Sequence, residues 1–221
     1  QLHGGGFRIG RPEFEAPLCE RLAARCGIEI VVPQYRLSPE APFPAGLNDA
    51  LAALAALRAR IGEDAVLIVG GDSAGGGLAA SLGFLSSIGR APRIDALVLL
   101  SPWLDLTVSA PSYAQNAATD PMFSTESAQA AADLYLQGFD PRHALASPLF
   151  APIERFPPTG EVLYDDARAF HEKLLATGCV SSLSAIAVME HVAVVRGPDL
   201  AGSAETFAAI AGFVDTTLAS R

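Results

Sequence analysis

The chain has 221 residues, half of them apolar and 18% charged, with a formal net charge of −9. That length and apolar content suit one globular domain with a sizeable core, and they exclude a disordered segment. The acidic balance argues against nucleic acid or an anionic membrane as a partner, because either needs a cationic face.

The chain opens on "QLHGGGF", which is not a signal peptide, and a helical pattern over residues 14–26 then ends at Gly27. "IEIVVP" at residues 28–33 reads as a strand, and a helix over residues 45–61 stops at Gly62. Next come a strand at residues 66–70, a helix at 74–87 and a strand at 96–100. These strands are nearly all apolar, as a parallel sheet covered on both faces requires. Residues 102–158 break the rhythm: loops rich in Pro and Ser surround a helix near residues 124–136. The insertion reads either as a partial helical cap over a site or as a long crossover. A helix at residues 165–177, a strand at 182–188 and a helix at 204–219 complete an open α/β sheet with right-handed crossovers. The expectation is a single domain over residues 1–221, without repeats or linkers.

Cys19 and Cys26 lie seven apart in one predicted helix, about 10.5 Å along its axis, too far for a disulfide. Free thiols, with Cys179 the third, favour a reducing, cytoplasmic setting. No spacing resembles a zinc site, no cofactor is implied, and no apolar stretch reaches membrane-spanning length.

Within "VLIVGGDSAGGGLAA", Gly71-Asp72-Ser73-Ala74-Gly75 fits G-x-S-x-G between a strand and a helix. That context makes Ser73 a nucleophile lifted above the sheet on a strained turn. A phosphate-binding turn is disfavoured, because neither glycine-rich nucleotide motif is present. A nucleophilic hydroxyl needs a base and a home for the oxyanion. "HGGGF" (residues 3–7) offers amide N–H groups clear of side chains at Gly5 and Gly6, and Ala74 adds a donor at a helix start.

Four stretches in this order, HGGGF, "YRLSPEAPFPAGLNDAL" (35–51), GDSAGGG and "LLSPWLDL" (99–106), resemble the bacterial hormone-sensitive-lipase family of α/β-hydrolase esterases, GDSAG branch. The likeness runs from residue 2 to about residue 195. It implies an α/β-hydrolase fold and a cofactor-free carboxylesterase for small acyl esters. It also implies an oxyanion hole of Gly5, Gly6 and Ala74, with His3 a structural neighbour. A homodimer paired through the last strand is expected by analogy alone.

In this fold the acid and then the histidine follow the serine. His143 sits in a Pro-rich connection and His171 inside a helix, whereas His191 follows the last strand in "MEHV", similar to the family's M-P-H-V. Glu190 stands where the family often has Pro. His191 is therefore the expected base. For the acid, "EVLYDDARAFHEKL" (161–174) aligns Glu161 with the family's carboxylate, and Asp165 is the alternative. Asp165 and Asp166 also suit a helix N-terminus. Asp72, Trp103, Met122 and Phe123 are candidates for the substrate pocket, though Trp103 equally suits packing at the sheet edge.

Two absences stand out. The family's first strands and N-terminal cap would precede the oxyanion loop, and they are missing. Pro157-Pro158-Thr159 runs directly into Gly160-Glu161, about six residues short, a strand's worth. A deleted central strand would leave buried backbone groups unpaired at about 1–3 kcal/mol each. The expectation is therefore that this chain comes from a longer polypeptide or, failing that, that the acid is displaced. Three functions follow from these readings: a serine carboxylesterase for short- to medium-chain esters, a non-catalytic ligand-binding member of the fold, and an inactive truncated member.

Overall fold

In the computed structural model of the protein, residues 1–110, 124–162, 165–186 and 191–220 are described. Four parallel strands lie side by side in sequence order: β1 (Ile68–Asp72), β2 (Ala96–Leu100), β3 (Thr159–Val162) and β4 (Ser181–Ser184). The helices are α1 (Ala16–Cys26), α2 (Ala45–Ile61), α3 (Ala74–Ser87), α4 (Thr125–Leu136), α5 (Asp165–Ala176), α6 (Ala193–Arg196) and α7 (Ser203–Ala219). Short 3₁₀ turns at Pro12–Glu15 and Pro148–Phe150 add to them.

The sheet separates two cores, and β2 shows why its sequence is uniformly apolar. Leu97 and Leu99 pack with Leu47, Leu54, Leu78, Leu82, Phe170 and Leu174 on one face. Val98 and Leu100 pack with Leu18, Leu22, Ile210 and Val214 on the other. Successive strand residues point to opposite faces, so burial on both sides needs apolar residues throughout. Gly27 closes α1 at φ 65°, its N–H donating to Ala23 O.

Two strand expectations change. Residues 28–33 form no strand: their one ladder-like bond is from the Gln1 amino group to Val31 O at 2.8 Å. β-branched composition does not make a strand without a neighbouring backbone to pair with. Along the outer edge of β1 only Leu2 pairs, with Gly71, among the described residues. An apolar cleft of about 280 Å³ lies there, lined by Ile28, Ile30, Ile68, Val98 and Ile210 and not by Ser73.

The second change concerns Glu161. No separate strand precedes it; Glu161 itself sits in β3, with Leu97↔Thr159, Val98↔Gly160, Leu99↔Glu161 and Leu100↔Val162 in register. The bonds Leu97 N to Pro158 O (2.8 Å) and Ser101 N to Val162 O (2.6 Å) extend the pairing at both ends. Four residues thus satisfy β2 along its length, and the expected row of orphaned backbone groups does not arise. For the rest, the chain-order reading of helices holds within a residue or two. The exception is α6, a single turn too short to show a period.

Candidate active site

β1 ends at Asp72 and α3 begins at Ala74, so Ser73 is the whole of the turn between them. Its backbone takes φ 50° and ψ −120°. A non-glycine residue there is strained by about 1–3 kcal/mol and persists only where its surroundings hold it. Ser73 N donates to Leu100 O (2.9 Å), and Ser73 O accepts from Trp103 N (2.9 Å) and Gly77 N (3.1 Å). The flanking glycines are a matter of space. A Cβ on Gly71 would overlap the Gly75 carbonyl, and one on Gly75 would overlap the carbonyls of Leu2 and His3.

The glycine loop after Leu2 lies against this turn. Gly5 and Gly6 have φ 115° and 60°. Among the described residues the N–H groups of Gly5, Gly6 and Ala74 donate to no protein acceptor. The loop is propped from behind: Tyr35 Oη donates to His3 O at 2.6 Å, and the two rings stack at 4.2 Å. Burial pushes the His3 imidazole below its usual value.

Asp72 is buried beneath the loop against Gly4. Trp103 stacks on Phe7 at 5.8 Å and donates from Nε1 to Asp105 O. Met122 and Phe123 lie outside the described residues.

His191 is half-buried and stands just before Val192, whose φ is 48°, at the entry to α6. Residues 187–190, Glu190 among them, lie outside the described residues. Glu161 is 1% exposed. Its Oε1 accepts from Ser181 Oγ at 3.1 Å, and Oε2 is buried with no partner among the described residues. Burial raises its carboxyl to about 8, against the lowering effect of the Ser181 bond. No hydrogen bond joins Glu161 or Ser73 to His191 among the described residues, so the three side chains do not form a bonded row. Glu161 is level with Leu99 and Gly71, inside the sheet.

Sequence reasoning gave Asp166 and Glu15 no part in the site, whereas Asp165 is its alternative acid. Asp166, predicted only as a helix-start carboxylate, accepts the N–H groups of Leu104 (2.8 Å) and Asp105 (3.1 Å). It thereby anchors the loop whose Trp103 N–H reaches Ser73 O. Burial raises Asp166 to about 6. Asp165 begins α5 beside it. Glu15 lies buried next to Asp72. Its position in "PEFE" carried no signal beyond a helix-start acid.

A strained serine between a parallel strand and a helix, faced by a glycine loop, defines the α/β-hydrolase class. The chain belongs to that family: the family model described as alpha/beta hydrolase fold matches residues 1–195. It is similar to an acetyl-hydrolase of Streptomyces hygroscopicus, 36% identical over 198 residues, 86% of this chain and 66% of that protein. An esterase of Acinetobacter venetianus is 33% identical over 184 residues, 78% of this chain and 59% of that one. The chain thus spans about 59 to 66% of the length of these relatives. Among solved structures, an esterase from the bacterial hormone-sensitive lipase family matches with a TM-score of 0.90 and 36% identity, covering 99% of this chain and 77% of that one. EstE5, in a crystal soaked with p-nitrophenyl butyrate, matches with a TM-score of 0.91 and 30% identity, covering 99% of this chain and 76% of that one. No helix among the described residues is long and apolar enough to cross a membrane.

Proposed function

We propose that this chain carries the serine carboxylesterase chemistry of its family, acting on short- to medium-chain acyl esters through an acyl-enzyme. Ser73 Oγ attacks the acyl carbonyl and gives its proton to His191. The N–H groups of Gly5, Gly6 and Ala74 receive the oxyanion, His191 returns the proton to the departing alcohol, and water repeats the cycle to release the acid. Glu161 orients the imidazole through Oε2, the carboxylate oxygen that has no partner among the described residues. The observation that carries the reading is the strained turn at Ser73 with three unspent N–H donors beside it. The unpaired cysteines Cys19, Cys26 and Cys179 support a reducing, cytoplasmic setting.

Hydrolysis of p-nitrophenyl butyrate by the parent, and its loss by at least about a thousandfold in Ser73→Ala, is the expected result. Turnover untouched by the substitution would remove Ser73 from the mechanism. A second reading, a binding or inactive member of the fold, draws on one observation: Glu161 is bonded to Ser181 and not to His191. Saturable binding of the same ester without turnover selects it.

A further inference from the structure

A row of hydrogen bonds leads from Glu161 across the sheet to α5. Ser181 Oγ lies 3.1 Å from Glu161 Oε1 and 2.7 Å from His171 Nδ1. Parallel pairing explains why the three meet. Thr159 is level with Ser181 and Glu161 with Leu183, so Glu161 and Ser181 point to the same face, two residues apart in register. α5 covers that face: its Phe170 and Leu174 share a core with Leu97 and Leu99, the β2 partners of Thr159 and Glu161. Burial falls along the row. Glu161 is sealed from water at 1% exposure, whereas His171 is half-buried. Its Nε2 has no protein partner among the described residues and is not shut off from solvent.

The Ser181 hydroxyl has one proton and donates to one neighbour at a time. With Glu161 ionised it donates to Oε1, and His171 donates from Nδ1. With Glu161 protonated, the proton belongs on Oε1, because on Oε2 it would be buried with no acceptor among the described residues. Oε1 then donates to Ser181, Ser181 donates to Nδ1, and the neutral imidazole carries its proton on Nε2. We propose that Ser181 and His171 are the route by which Glu161 exchanges its proton with water. As Oε1 passes its proton to Ser181 Oγ, the Ser181 proton passes to His171 Nδ1 and the Nε2 proton leaves to water. Glu161 ends ionised, Ser181 unchanged, and His171 neutral with its proton moved from Nε2 to Nδ1; uptake runs the steps backwards. The route uses Oε1 and leaves Oε2 for the His191 imidazole. On this face β2, β4 and α3 bring no ionisable side chain. α5 brings Asp165 and Asp166 at its start, the exposed pair Arg168 and Glu172, and Lys173. Asp166 accepts from Leu104 and Asp105, and Lys173 donates to the Leu149 and Ala151 carbonyls.

The acid of the proposed mechanism must be ionised when the His191 imidazolium forms, so a buried proton needs a way out. That part in turnover rests on the esterase reading, whereas the route itself does not. Nitrogen NMR of the His171 imidazole tests the route without turnover. In the parent, Nδ1 changes from acceptor to N–H as the Glu161 carboxyl carbon titrates near pH 8. In Ser181→Ala the tautomer no longer follows the carboxyl. For turnover, His171→Asn offers Ser181 an amide, which hydrogen-bonds but relays no proton. Its kcat for p-nitrophenyl butyrate falls at least about tenfold with KM unchanged. An Nδ1 that keeps one protonation state throughout the parent's Glu161 titration overturns the proposal, whether or not the variants fold. Equal kcat in the parent and His171→Asn overturns it too. A parent without turnover whose His171 switches tautomer with the carboxyl supports the route and removes the esterase reading alone.

Discussion

Glu161→Gln probes a buried acid in the sheet whose Oε2 has no partner among the described residues. In the folded chain burial holds this carboxyl at about 8, against 4.5 for a free one. Three and a half units at about 1.4 kcal/mol each make the ionised form cost the folded state about 5 kcal/mol. The folded state binds the proton more tightly, so this contribution to stability is fully present below pH 4.5, declines up to about pH 8 and is level above it. Glutamine stays neutral; its oxygen keeps the Ser181 bond, but its NH₂ replaces Oε2 and lacks an acceptor, costing about 1–3 kcal/mol. The variant is then less stable than the parent by about 1–3 kcal/mol at acid pH and more stable by about 2–4 kcal/mol in alkali, with a crossover between about pH 5 and 7. Urea unfolding followed by circular dichroism resolves this as a midpoint difference of about 1–2 M in alkali and of opposite sign in acid. Other titrating groups are common to both proteins and cancel. A difference that keeps one sign and one size from acid to alkali refutes the reasoning, because it means that Glu161 does not change charge in the window its burial dictates.

Gly75→Ala sets two effects against each other: helix propensity favours alanine by about 1 kcal/mol, whereas overlap with the Leu2 and His3 carbonyls opposes it. The expected outcome is a net loss of more than about 2 kcal/mol on thermal melting, together with loss of esterase turnover; a stabilised variant refutes the close approach. Asp166→Ala strips the acceptor from the Leu104 and Asp105 N–H groups and should cost about 2–6 kcal/mol. It also slows turnover, because residues 102–106 carry the donor to Ser73 O. A melting temperature within about 2 °C of the parent would count against that anchor.

What the sequence made legible follows local physics. The bounds of α2, α3 and β2 agree with their predicted ranges because glycine stops, the strand-turn-helix motif and uniform burial each act within a few residues. Residues 28–33 misled because a strand is a relation between two backbones, and their partner supplies one bond only, from Gln1. Glu161 misled for the same reason. The residues read as lacking a strand, Thr159–Val162, themselves pair with β2 along its second edge. The turn at Ser73 was readable to the residue, since its glycines are demanded by contacts with the flanking chain.

The carboxyls were not readable, because a buried acid takes its charge from what donates to it. Asp166 has two backbone N–H donors and is raised only to about 6; Glu161 has one hydroxyl and is raised to about 8. A triad acid must be ionised when the imidazolium forms. Asp166 meets that condition near neutrality but is spent on the loop, whereas Glu161 has an oxygen to spare and keeps its proton at pH 7. Bringing a cationic imidazole against Oε2 would itself pull that proton off, since an adjacent opposite charge favours the ionised form. In the proposed mechanism, contact between His191 and Glu161 and ionisation of Glu161 are therefore a single event. Turnover must then follow the ionisation of Glu161 near pH 8 as well as the titration of the base.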